Sequence, residues 1–254
     1  MPLSTYRELE TRWKAMRGTR GVAIREVACV NAPRTLLCIE VGSGAIPRIA
    51  LAAAIHGDEP AGALALLQLV DERALNPSYA YRIWPCTNPT GFDAAKRESI
   101  DGADLNRTFS RGGQSPEARA IIIANRDLKF ALSIDLHEDG DADGFYCYEY
   151  GGGNLGLRAV AAVEDAGFPI ESLATLDLGN PLLERSIHRE RGRITADPFQ
   201  EASAIDGLSY SLLVARNAAR HTLTLETPTR DTIERRIAMH RLAVGAAIEA
   251  LSAA

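Results

Sequence analysis

Apolar positions along this chain recur in two periods, and the changes of period mark its elements. Tyr6 to Met16 predicts an amphipathic helix. Strand-like runs follow at Val22–Cys29, Thr35–Val41 and Arg48–Ile55, the last nearly all apolar, as in a strand covered on both faces. Pro60 opens a helix that runs to about Val70, a position that suits a residue without an N–H. The short strand Ala80–Pro85 leads into a long polar loop from Asn88 to Gly113. Ser115-Pro116-Glu117 then carries the capping serine and first-turn proline of a helix start. Phe130–His137 and Phe145–Tyr150 read as further strands and Leu155–Ala166 as a helix. His221–Glu226 is another strand, and Ile233 to Leu251 is the last amphipathic helix. The stretch from Glu171 to Gly207 has no clear period and takes no assignment.

Strands that alternate with helices predict an α/β fold with helices on both faces of a mixed, mostly parallel central sheet. Neither an internal repeat nor a linker rich in Pro, Gly or Ser interrupts the pattern, so residues 1–254 are expected to form one catalytic domain. Composition adds exclusions. The net charge is -5 and Lys and Arg form no stripe, which argues against nucleic acid or an anionic membrane as partner. The start, "MPLSTYRELETRWKAMRG", holds no apolar core of signal-peptide type, and no run approaches the ~18 apolar residues of a membrane span. Four cysteines (Cys29, Cys38, Cys86 and Cys147) are scattered without a CxxC pair, as expected of buried, reduced thiols in a cytoplasmic protein. Oligomeric state is not legible.

Candidate chemistry begins at "AAIHGDEPAG", where His56 and Glu59 stand three residues apart at the end of an apolar strand. Ligands gather outside the carboxyl ends of strands in such sheets. A second apolar strand, "LSIDLHED", ends with Asp135-Leu136-His137. Two histidines and a glutamate on strand ends make a donor set that suits zinc and leaves a fourth position for water.

From about Ile55 to Pro228 the chain resembles the metallocarboxypeptidase family of zinc peptidases. The elements that carry the resemblance are "HGDE", "NPTGF", "KRESIDGADLNRTF", "DLHE" and "TLETP", in that family's order. The resemblance implies a three-layer α/β/α fold of the zinc carboxypeptidase kind, with one zinc per chain held by His56, Glu59 and His137. It implies Glu226 as the general base, a glutamate at the end of an apolar strand where few are buried unless paired or functional. Glu138 is the rival base, but successive strand side chains point to opposite faces, which turns it away from a metal at His137. Arg97 corresponds to the arginine that stabilises the oxyanion. Asn106 and Arg107 match the pair that holds a substrate carboxylate, and Asp104 a carboxylate that orients the first zinc histidine. The implied activity is hydrolysis of an amide next to a free carboxylate. The expected substrates are peptides, cell-wall peptides among them, with N-acyl amino acids as the alternative, as in enzymes resembling aspartoacylase and succinylglutamate desuccinylase.

Three weaker signals remain. Gly151, Gly153 and Gly156 make GxGxxG between a strand and a helix, with Glu171 and Asp177 near the distance of a ribose contact. Taken alone, they predict a dinucleotide-binding protein; with too little assignable βαβ repeat beyond them, a glycine-rich strand-to-helix turn is the better account. The acidic loop Glu138, Asp139, Asp141 and Asp143 is either a solvated turn or a site that favours substrates with a free amine. Tyr146, Tyr148, Tyr150 and Tyr210 read as core or rim aromatics. His188 and His221 have no partner at ligand spacing, and His240, among Arg235, Arg236 and Arg241, reads as part of a solvated helix face.

Overall fold

A computed structural model describes residues 5–19, 21–42, 48–110, 112–174, 184, 187–204 and 207–252. Nine described strands form one sheet: β1 (Val22–Val27), β2 (Leu36–Val41), β3 (Arg48–Ala53), β4 (Ala80–Trp84), β5 (Phe130–Asp139), β6 (Tyr146–Tyr150), β7 (Ile187–Glu190), β8 (Arg193–Ala196) and β9 (Ala219–Pro228). Their order is β1-β2-β4-β3-β5-β9-β6-β8-β7. The centre, β4-β3-β5-β9, is parallel throughout, while β1, β2 and β6 join by antiparallel pairings. β9 is the last strand in the chain, yet it lies between β5 and β6.

The central strands are apolar on both faces because both faces are covered. Ile49, Leu51 and Ala53 of β3 enter one core, with residues of helices α1 (Tyr6–Ala15), α2 (Pro60–Asp71), α5 (Leu155–Asp165) and α8 (Ile233–Ser252). Ala50 and Ala52 enter the other, with residues of α4 (Pro116–Asn125) and α7 (Tyr210–Asn217). Three layers result, α/β/α, as the resemblance implies. In β5 the alternation is chemical as well: Leu132, Ile134 and Leu136 face the first core, so Ser133, Asp135 and His137 face the second. No described helix is long and apolar enough to cross a membrane.

The polar loop of residues 88–113 is more ordered than its pattern predicts. Asn88 accepts a hydrogen bond from the Gly91 N–H at 2.9 Å, and with Pro89 in the first turn it starts α3 (Pro89–Ala94). Asp104 caps a single 3-10 turn at Leu105–Arg107 in the same way. The unassigned stretch contains the β7–β8 hairpin and α6 (Pro198–Ala204); Asp177 lies outside the described residues. His240 corrects the sequence reading. It is fully buried, its Nε2 3.3 Å from Thr227 Oγ1, because α8 packs against α2, α5 and β9 and has more than one covered flank.

Candidate metal centre and substrate cleft

β3 ends at Ala53, and the left-handed Ala54 (φ 49°) turns the chain sharply out of the sheet. The N–H groups of Thr87 and Asn88 donate to the carbonyls of Ala53 and Ala54, so the end of β4 fixes this turn. It delivers His56 and Glu59 to the end of β5, where His137 sits. All three are at most 5 % exposed, and one donor atom from each lies within 4.8 Å of the others.

Glu59 bridges the histidines. Its Oε1 is 2.5 Å from His56 Nδ1 and its Oε2 is 2.9 Å from His137 Nδ1. Behind each ring stands another carboxylate: Asp104 Oδ1 lies 3.3 Å from His56 Nε2, and Asp135 Oδ2 lies 3.1 Å from His137 Nε2. His137 is thus held at its rear nitrogen, His56 has a carboxylate beside its own without a hydrogen bond, and both rings present Nδ1 to Glu59; carboxylates in such positions orient metal-binding histidines. Burial opposes ionisation of Glu59, but the two histidines overcome it and hold its carboxyl far below the usual range. Burial likewise opposes charge on His137, yet Asp135 and Glu59 hold its pKa well above the ordinary histidine value. Two forward imidazole nitrogens and a carboxylate make a donor set that would suit a zinc ion.

Asp135 escaped the sequence reading, although its signal was present: two residues before His137 on a strand, it shares that residue's face. Ser211 Oγ, 2.8 Å from Thr224 Oγ1, donates to the same carboxylate at 3.3 Å.

Arg97 leans over the cluster. Its Nη2 bonds Asp104 at 2.9 Å, and its Nη1 is 3.3 Å from His56 Nδ1 and 3.8 Å from Glu59. Asn106 is fixed at both ends, its N–H on Asp104 at 2.9 Å and its Oδ1 accepting from the Tyr210 N–H at 3.1 Å. Arg107 is exposed, and its guanidinium donates to the neighbouring Asn106 carbonyl at 3.0 Å.

Glu226 faces His137 across the β5–β9 pairing, and Tyr146 faces Glu226 from β6. Two residues back along the strands, Asp135, Thr224 and Tyr148 form a second row on this face; Ser133, Thr222 and Tyr150 form a third. Burial above all, aided by Glu59, Asp139 and Asp135 and opposed by His137, pushes Glu226 up to about 8. The three β6 tyrosines pack into the hydrophobic clusters and line the cleft as well, and Tyr210 is buried against Phe109. The cleft has a volume of about 390 Å3 and also takes in His56, Glu59, Arg97, Asn106, Arg107 and His137.

Glu138 accepts the Ala61 N–H at 2.6 Å and pairs with Arg236, so its carboxylate is engaged away from the donor cluster. Asp143 pairs with Arg230, while Glu138, Asp139 and Asp141 of the loop line the cleft. The glycine motif has a structural cause. A Cβ on Gly151 would stand 2.2 Å from the Arg220 carbonyl oxygen, and one on Gly156 would stand 2.9 Å from Cys147 Sγ. At the start of α5, where a pyrophosphate would dock, Glu149 already accepts the Leu155 N–H at 2.9 Å. Glu171, the other acid of that reading, accepts the N–H groups of Asp143 and Gly144.

Residues 45–176 match the model of the succinylglutamate desuccinylase/aspartoacylase catalytic domain. Carboxypeptidase SOL1 of Arabidopsis thaliana is 33% identical over 103 residues, which are 33% of this chain and 21% of that protein, so the match spans about a fifth of the relative's length. A candidate metallopeptidase of Shewanella amazonensis SB2B superposes with a TM-score of 0.78 at 20% identity, covering 96% of this chain and 92% of that one. A metallo-carboxypeptidase of Burkholderia cenocepacia gives 0.73 at 15% identity, covering 98% of this chain and 69% of that one. At these identities the structural likeness is one of fold.

Proposed function

Since the chain belongs to the succinylglutamate desuccinylase/aspartoacylase catalytic-domain family, we propose that it is a zinc-dependent hydrolase that cleaves an amide bond beside a free carboxylate, acting as a carboxypeptidase on short peptides. The observation that carries this reading is the convergence, in one cleft, of the Glu59-bridged histidines, Glu226 and Arg107. His56, Glu59 and His137 would hold the metal, with Asp104 and Asp135 orienting the two rings.

The chemistry a bound zinc supplies is Lewis acidity, which activates water near neutral pH and polarises a carbonyl. Glu226, across from His137, takes the proton of the attacking water and returns it to the leaving amine. Its raised pKa suits that exchange, since a base that must also act as acid works best near the operating pH. Arg97 offers a fixed positive charge to the oxyanion, a contribution of about 3–4 kcal/mol where such donors have been removed. Arg107 and the amide NH2 of Asn106 dock the substrate carboxylate; a guanidinium fork matches its two oxygens.

A second reading keeps every residue role and changes the acyl group. The family model favours a deacylase that frees an amino acid from an N-acyl group, and a cleft of this size admits such a compact substrate. Mass spectrometry of a pool incubated with zinc-loaded protein separates the two. The pool holds peptides with free and amidated C-termini, cell-wall peptides and N-acyl amino acids. Loss of a terminal residue from free but not amidated peptides supports the carboxypeptidase. Cleavage of acyl amino acids alone moves the chain to the deacylases, and cleavage of neither overturns both.

A further inference from the structure

The face of the sheet that carries the donor cluster has a polar underside. Glu138 and Thr227 pair across β5 and β9, one residue beyond His137 and Glu226, so their side chains enter the opposite layer, toward α2 and α8. Glu138 has no exposed side-chain surface there, and its carboxylate has two partners. Oε2 pairs with Arg236 of α8, and Oε1 accepts the Ala61 N–H at 2.6 Å. A buried ion pair is a poor way to stabilise a core, since apolar side chains of the same volume often serve as well or better. What this pair supplies is a cap.

Glu59 is the N-cap residue of α2, with Pro60 and Ala61 the first two residues of the helix. An N-cap side chain ordinarily accepts the N–H of the second or third helical residue. Glu59 makes no such bond and turns instead to His56 and His137. Pro60 has no N–H, so Ala61 carries the first donor of the helix, and Glu138 accepts it from β5. The backbone N–H of Glu138 meanwhile donates to Glu59 Oε2 at 3.0 Å. One residue thus holds the helix start with its side chain and the donor carboxylate with its main chain. Gly62 permits the approach, for a Cβ there would stand 2.7 Å from Leu136 Cβ.

We propose that Glu138, held by Arg236, is a positioning residue: it caps α2 in place of Glu59 and leaves the Glu59 carboxylate to the donor cluster. Without it the Ala61 N–H draws on the carboxylate two residues before it, and the histidines lose their bridge. The inference rests on the reading of His56, Glu59 and His137 as metal donors.

The test is the zinc affinity of the full chain, read by competition with a chelating dye, beside the melting temperature of the metal-free protein. Two double variants remove both buried charges together, so neither leaves an unpaired ion. Glu138→Gln/Arg236→Met keeps an oxygen for the Ala61 N–H, and Glu138→Leu/Arg236→Met does not. The first should bind zinc as the parent does, and the second about 10–100-fold more weakly, with the visible bands of its cobalt(II) form shifted. Where the leucine variant does not melt cooperatively, Glu138→Met takes its place, a flexible side chain likewise without an oxygen. Equal affinity of the two variants, at the parent's level or below it, overturns the capping role and leaves the metal reading intact. Failure of the parent itself to bind zinc removes the metal reading and the proposal with it.

Discussion

Gly57 and Gly91, one from the metal-loop motif and one from the NPTGF motif, meet backbone to backbone. A Cβ on Gly57 would stand 1.9 Å from the Gly91 carbonyl carbon and 2.3 Å from the Phe92 nitrogen. Asn88, which caps the helix of Gly91, also donates through its Nδ2 to the Arg97 carbonyl at 3.1 Å, and Gly57 N–H points to that carbonyl at 3.4 Å. One contact therefore sets the loop of His56, the start of α3 and the entry to Arg97. Gly57→Ala should destabilise the metal-free chain by about 1–3 kcal/mol or more through overpacking. A thermal melt should register it at about 2–4 °C per kcal/mol; an unchanged melting temperature would mean the two loops separate freely.

Replacing the base tests its role directly. Glu226→Gln should bind zinc as tightly as the parent while kcat falls by about 10²–10⁴. The check is metal content beside single-turnover rates. Full turnover with zinc in place would remove Glu226 from the chemistry.

The same residue makes the metal-free fold sensitive to pH. Its folded pKa is raised to about 8 from 4.5, so the folded state holds a proton that the unfolded chain gives up. Its contribution to stability is complete below the unfolded value and is lost as the pH rises through the folded one. Glu59 works in the opposite sense, but its lowered pKa confines that loss to acid pH. Denaturant midpoints of the metal-free parent, relative to Glu226→Gln, should therefore fall between pH 5 and pH 8. A constant difference across that range would show that Glu226 titrates as if exposed.

The two arginines should separate in kinetics. Arg97→Ala is expected to lower kcat by about 10²–10³. Arg107→Ala should act mainly through KM, as does the loss of a contact made equally in ground and transition states. Equal effects on both parameters from both variants would argue that they act as one unit.

Asp135→Asn keeps the shape behind His137 and removes the charge. Zinc affinity, read by competition with a chelating dye, should weaken about 10–100-fold. No change would reduce Asp135 to a packing residue.

The fold and the candidate donor cluster were legible because each leaves a local trace. Apolar runs marked the central strands, and His56, Glu59 and His137 stood out as polar residues at their ends. In β5 the alternation of Leu132, Ile134 and Leu136 with Ser133, Asp135 and His137 carried further detail than was read from it. His240 misled because its neighbours are arginines, and only tertiary packing decides that the ring points inward. Tyr150 and Glu201 could not be joined in advance: one lies on a strand and the other on a short helix in a stretch without period. Their contact exists only once β6 is seated beside β9.

That seating also orders events in time. The wing formed by β6, β8 and β7 touches the rest of the sheet through β9, so a nascent chain that has not reached β9 has two separate pieces of sheet. By then it has already made His56, Glu59 and His137, the candidate metal donors. It still lacks Glu226, which arrives on the strand that joins the pieces. In an unfinished chain the candidate donors are thus complete before the proposed base, which comes only with the strand that closes the sheet.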